Sequence, residues 1–121
     1  MANDQLAAPA GFWDDLNEQL QDPEFRHHYI LESERIAAID RVINELDDIR
    51  EQLGLSKAEL ARAIERTPET VRRLLTAKAV NPQFSVVVEM AAALGYRVAL
   101  QPMNAKDRRE VAEPLRDFAT A

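Results

Sequence analysis

Two helix-start signals stand eleven residues apart in the middle of this chain, at Ser56 and Thr67, and that spacing limits what the surrounding sequence can fold into. Ser56 followed by Glu59 is a capping box: the hydroxyl takes a free amide of the first turn, and the carboxylate reaches back to the amide of Ser56. Thr67 followed by Pro68 is the second signal, because Thr caps the free amides and Pro is tolerated at the first helical position. The interval predicts one helix from Lys57 to about Ile64, a break of about three residues, and a second helix from Thr67 to near Ala77. Gly54 supplies a left-handed stop before this pair, and Asn81 with Pro82 breaks the chain after it.

The flanks are helical as well. Ile36, Ile39, Ile43, Leu46 and Leu53 recur at helical steps and predict a long helix ending at Leu53. Asp22 with Pro23 is a start signal, and the stretch from there is compatible with one unbroken helix or with a break inside it. Phe12, Trp13, Leu16 and Leu20 share one side of a helical wheel, with Asp14, Asp15 and Glu18 elsewhere, which predicts a short amphipathic helix with an acidic wet face. Val87, Met90, Ala91 and Leu94 mark a further helix stopped by Gly95. Tyr96, Val98 and Leu100 then alternate with Arg97, Ala99 and Gln101, a period-two pattern that predicts a β-strand ended by Pro102. Residues 1–11 lack periodicity and read as an arm. Beyond Met103 the pattern weakens, to a helix at Arg108–Ala112 or a mobile tail. The expected architecture is therefore mainly α, a helical bundle with one C-terminal β-strand and mobile termini. Its parts are an arm and short acidic helix over 1–21, a domain over 22–102, and a flexible tail over 103–121.

At 121 residues the chain has room for one core plus tails. The absence of cysteine removes disulfides, thiolate nucleophiles and cysteine metal sites. The first fifteen residues carry no Lys or Arg and include Asp4, Asp14 and Asp15, the opposite of an export signal. Phe84 to Leu94, the most apolar stretch, is short and interrupted by Glu89, so no membrane span is expected and the reading is a cytoplasmic protein. Net charge is -6, but unevenly spread. Residues 1–49 hold 12 acids and 3 bases (-9), residues 50–80 hold 4 acids and 7 bases (+3), and residues 81–121 hold 5 of each. Positive charge is concentrated where the two short helices fall.

Two short helices about three residues apart, with a longer helix before and another after, make a helix-turn-helix. A B-DNA major groove admits one helix, while the preceding helix crosses the phosphate backbone with its amides and dipole facing a phosphate. Ser56 and Lys57 stand where such phosphate contacts are expected. On the second helix Val71, Leu74 and Leu75 can face the core, leaving Glu69, Thr70, Arg72 and Arg73 outside. Arg73 can grip guanine O6 and N7 through its planar fork, Glu69 can accept from cytosine N4, and Thr70 can touch a thymine methyl or a phosphate. Arg72, Thr76 and Lys78 are placed as phosphate anchors.

Leu55-Ser-Lys-Ala-Glu-Leu-Ala-Arg-Ala-Ile followed by Thr67-Pro-Glu-Thr-Val-Arg-Arg-Leu-Leu resembles the Xre family of phage-repressor-like (lambda-repressor-like) regulators. With Asp22-Pro-Glu-Phe-Arg, Asn81-Pro-Gln-Phe and Ala93-Leu-Gly-Tyr-Arg-Val-Ala-Leu added, the chain over about 22–102 resembles HigA-type antitoxins. The resemblance implies a bacterial antitoxin of a type II toxin-antitoxin module, which binds double-stranded operator DNA, represses its own operon and neutralises a ribonuclease toxin of the RelE-like HigB type. An Xre transcription regulator without a toxin, and a protein-interaction module lacking DNA binding, are the alternatives. Three positions depart from the family pattern: Lys57 stands for its glutamine, Glu65 for the turn glycine, and Pro68 for the first reader of the recognition helix. Glu65 predicts a turn without a left-handed residue, and Pro68 leaves only apolar base contact at that position.

A lone strand carries unpaired amides and carbonyls, which a second copy or a partner's sheet edge would cover. A homodimer paired through Tyr96, Val98 and Leu100 is the favoured expectation, with packing on the chain's own helices as the other. Two-fold symmetry then predicts a palindromic operator with half-sites about 34 to 36 Å apart. The acidic first third would attract the basic surface of an RNA-cleaving toxin, and Phe12, Trp13, Leu16 and Leu20 either anchor that partner or fold back on their own core. His27 and His28, being adjacent, point about 100° apart on a helix and read as surface histidines, not as a metal pair. No phosphate loop, nucleophile motif or paired catalytic carboxylates occur in the sequence, so neither an enzyme nor a cofactor is expected.

Overall fold

The computed structural model describes residues 9–76 and 81–121, and every described element is helical. The elements are α1 (Phe12–Gln19), α2 (Pro23–Gln52), α3 (Lys57–Ala63), α4 (Pro68–Thr76), α5 (Phe84–Ala93), and α6 (Ala105–Asp107), which continues through a π-helical turn (Arg108–Ala112) into α7 (Glu113–Thr120). Residues 1–8 of the arm expected over 1–11, the expected end of α4 at Ala77, and Lys78 lie outside the described residues. The chain divides into two compact units, Arg35–Pro102 and Met1–Glu34 with Met103–Ala121.

In the unit Arg35–Pro102, one apolar cluster joins four helices. Ile43 and Leu46 come from α2, Leu60 and Ala61 from α3, Val71, Leu74 and Leu75 from α4, and Val86, Val87, Met90 and Ala91 from α5. Leu60, Met90 and Val71 are its largest fully buried side chains, one from each of the three short helices. α3 therefore packs on both α4 and α5, and the short pair is held rigid by a core that neither helix could bury alone.

The same hydrogen-bond pattern ends three helices here. After α2 the amides of Gly54 and Leu55 donate to the carbonyls of Glu51 and Arg50, and after α5 those of Gly95 and Tyr96 donate to Ala92 and Ala91. After α3 the amides of Glu65 and Arg66 donate to Arg62 and Ala61. Each is a Schellman cap, which places its central residue in the left-handed region. Gly54 and Gly95 have φ of 73° and 88°, and Glu65 has φ of 57°. The expectation that Glu65 would avoid this conformation is thus wrong: α3 must stop and α4 start within four residues, and the two cap hydrogen bonds outweigh the steric cost. Because a non-glycine residue there costs about 1 kcal/mol, Glu65→Gly should raise stability by up to about that amount, offset partly by the freer unfolded chain. Thermal unfolding of the two proteins measures it, and a lower midpoint for the glycine variant would contradict the strain.

Arg50 joins α2 to this turn. Its side chain is 11 % exposed, its guanidinium pairs with Asp47 at 2.8 Å, and its Nη1 donates to the carbonyl of Leu55 at 2.6 Å. That contact ties the last turn of α2 to the residue before the Ser56 cap. Arg50→Ala should cost about 2 to 3 kcal/mol, because it strands a half-buried carboxylate and a carbonyl together. Denaturant unfolding checks this, with a loss under about 0.5 kcal/mol, the size of an ordinary surface substitution, as the contrary result.

The β-strand expected at Tyr96–Gln101 is absent, and there is no strand among the described residues. Alternation prepares a segment for a sheet, but a strand exists only with a hydrogen-bonded neighbour, and no described segment lies alongside it as a ladder. Tyr96, Val98 and Leu100 are left 54 %, 45 % and 102 % exposed.

In the other unit, Asp22 caps α2 as expected, its Oδ1 accepting from the amide of Glu24 at 3.1 Å. α2 runs without a break from Pro23. Residues 105–120, expected as a tail, are helical. Asn104 caps α6 by accepting from the Asp107 amide at 2.7 Å. The π turn stands just before Pro114, which has no amide to continue an α-helical ladder. His27 is half-buried, not a surface residue, with its ring stacked on Phe118 at 3.8 Å between centroids. Phe12 and Trp13 meet edge to face at 4.7 Å, each 42 % exposed.

Candidate nucleic-acid interface

Each of the two short helices begins on a side-chain cap. The Oγ of Ser56 accepts from the amide of Glu59 at 3.0 Å, and the carboxylate of Glu59 accepts from the amide of Ser56 at 2.8 Å. Those hydrogen bonds to the amide and hydroxyl of Ser56 hold the Glu59 carboxyl below the usual glutamate range. Since the folded value is the lower one, this contribution is whole above the ordinary glutamate pKa and is lost as the pH falls through the depressed one. α4 starts on Thr67, whose Oγ1 accepts from the Thr70 amide at 3.2 Å and shares a hydrogen bond with the Thr70 hydroxyl at 2.8 Å.

α4 is sharply two-faced. Val71, Leu74 and Leu75 are buried, and at about 100° per residue Glu69, Arg73 and Thr76 span about 60° on the opposite side. Pro68, Glu69, Arg72, Arg73 and Thr76 are exposed, Thr70 is half-buried, and Ser56 is exposed beside a half-buried Lys57. The helix thus presents one polar ridge to whatever lies outside it.

The groups on that ridge are not equally available. Arg72 donates to the carboxylate of Glu69 one turn earlier, an exposed pair worth about 0.3 to 0.5 kcal/mol. The Thr70 hydroxyl is turned back to Thr67, which leaves less of it for a base or phosphate. The Thr76 hydroxyl donates to the carbonyl of Arg72 at 2.6 Å. Arg73 is exposed and has no hydrogen bond or ion pair to another described residue.

Two of the seven bases in the positive window serve the fold. Arg50 is buried against Asp47, and Arg66, just after the turn, reaches Glu89 of α5 at 3.2 Å. Lys57, Arg62, Arg72 and Arg73 remain as cations for an external anion among the described residues, and Arg62 was not singled out by the sequence reading. It is exposed at the end of α3 and differs from the chosen residues in no local signal except its position.

Residues 44–101 match a family model described as a helix-turn-helix domain. The match begins in α2 and runs past α5, so it takes in α3, α4 and the core between them. Among curated proteins and among solved structures, none matches the chain. No helix among the described residues is long and apolar enough to cross a membrane.

Proposed function

We propose that this protein is a sequence-specific regulator that binds double-stranded DNA by placing α4 in the major groove, with Arg73 reading a base and Lys57, Arg62 and Arg72 holding phosphates. The observation that carries the reading is the exposed Arg73, which has no partner among the described residues, on a helix fixed by Val71, Leu74 and Leu75. Ser56, exposed at the start of α3, is proposed as a phosphate contact beside Lys57. Glu69 and Thr70 are secondary readers, since each must first leave an intramolecular partner. Pro68 offers an apolar surface only.

The finer reading is an antitoxin that represses its own operon and neutralises a RelE-like HigB ribonuclease, in a bacterial cytoplasm. It rests on the resemblance of Asp22-Pro-Glu-Phe-Arg, Asn81-Pro-Gln-Phe and Ala93-Leu-Gly-Tyr-Arg-Val-Ala-Leu to HigA-type antitoxins. The exposed Phe12 and Trp13 beside Asp14 and Asp15, with Leu16 and Leu20 behind them, suit a basic partner. Titrating the protein against its upstream DNA tests the first reading, and coexpression with the adjacent gene, scored for relief of growth arrest, tests the second. No complex at low salt overturns the first; growth arrest that coexpression does not relieve, or an adjacent gene that is not toxic, overturns the second.

A further inference from the structure

Glu69 is the one acid of α4, and on the helical wheel it falls between Arg72, about 60° to one side, and Arg73, about 40° to the other. An acid on a face turned toward a polyanion weakens binding to every DNA sequence alike, unless it meets a donor there. Its carboxylate accepts from the Arg72 guanidinium. Of Lys57, Arg62, Arg72 and Arg73, only Arg72 is in an ion pair among the described residues.

This pair is easily exchanged for other partners. Arg72 is 60 % and Glu69 70 % exposed, and an ion pair in that much water favours the closed form only about twofold. A carboxylate that accepts from the N4 amine of cytosine discriminates its base by about five- to a hundredfold, which is enough to draw Glu69 away from Arg72. Guanine and thymine present acceptors in the major groove, and adenine sets its N7 acceptor beside its amine, so at those bases the carboxylate is repelled and stays on Arg72. A guanidinium already balanced by a carboxylate displaces no counterion from a phosphate.

We infer that Glu69 makes a phosphate contact conditional on a base: on unrelated sequence it holds the charge of Arg72, and a cytosine in the groove takes the carboxylate and frees Arg72 for the DNA backbone. The inference rests on the DNA-binding reading proposed above. It adds a route by which a backbone contact, which carries no sequence information of its own, comes to serve specificity. Glu69 is then a specificity-determining residue through what it withholds on the wrong sequence as much as through the base it meets on the right one.

An acid in the first turn also favours the helix itself, so the test reads DNA binding through Arg72 and not stability. Glu69→Ala removes the carboxylate and, unlike glutamine, brings no amide that reads adenine. The cap made by Thr67 and the apolar face of α4 are untouched, and circular dichroism should be unchanged. The probes are the upstream DNA and a duplex of A·T pairs only, which offers no cytosine. On the A·T duplex, Arg72→Ala should leave the affinity of the native protein within about twofold, because Glu69 already holds that charge. Glu69→Ala should raise the same affinity about tenfold for each copy and steepen its salt slope by about one. That gain should vanish when Arg72→Ala is added to Glu69→Ala. The preference for the upstream DNA over the A·T duplex should fall tenfold or more in Glu69→Ala. An A·T affinity and salt slope that Glu69→Ala does not change, or a gain that persists without Arg72, would overturn the inference while leaving the DNA-binding reading in place. A native protein that binds neither duplex at low salt fails that reading itself, and this inference with it.

Discussion

Raising the salt concentration from about 50 to about 200 mM should lower the affinity of this protein for its operator roughly a thousandfold. On the proposed reading, Lys57, Arg62 and Arg72 would supply three phosphate contacts per copy, and two copies on a palindrome would make about six. Each neutralised phosphate releases a condensed counterion, so binding weakens steeply as salt makes that release less favourable. The expected effect is large even though the molecule carries a net charge of -6, because the cations lie together in one window and the acids lie mostly in the first 49 residues. Fluorescence anisotropy against labelled operator at several salt concentrations gives the slope directly. A flat slope would mean that α3 and α4 do not meet a phosphate backbone, and would leave a protein-interaction module as the better account.

Replacing Arg73 with alanine should weaken operator binding by about a hundredfold, from about 1.4 kcal/mol at each of two half-sites. Binding to unrelated DNA should change little, because the lost contact reads a base. Lys57→Ala should behave differently, weakening operator and unrelated DNA alike and lowering the salt slope by about one for each copy. Arg73 is chosen over its neighbour because Arg72 already has Glu69, while the Arg73 guanidinium meets no other described group. If Arg73→Ala lowered affinity for both kinds of DNA equally, the division between base reader and phosphate anchor would fall.

Much of the domain was readable because its signals are local. A Ser hydroxyl three residues before a Glu, a Thr before a Pro, and a Gly after an apolar run act within a single turn, so the end of α2 and the starts of α3 and α4 follow from neighbours in the sequence. The buried face of α4 was likewise fixed by the spacing of Val71, Leu74 and Leu75. The Asn104 cap is equally local, but the sequence reading passed over it and started a helix, if any, only at Arg108, because the charged residues after it carry little periodicity.

What failed depended on partners distant in the sequence or on a second chain. Alternation at Tyr96, Val98 and Leu100 looks like a strand, but a ladder needs another extended segment, and pattern alone cannot say whether one exists. Glu65 lacks the usual signature of a left-handed residue, and the demand comes from the closeness of α3 to α4 in space. The charge count treated Arg50, Arg66 and Arg73 as equals. Only the packed structure pairs the first with Asp47 and the second with Glu89, across 23 residues of chain, and gives the third no partner among the described residues. The sequence by itself determined where the helices start, stop and turn an apolar face inward, since those are short-range hydrogen bonds and periodicities. Which cations remain for DNA, and which apolar residues remain uncovered, was decided by tertiary contacts, because a charge or a methyl group is available only if nothing else in the folded chain has reached it.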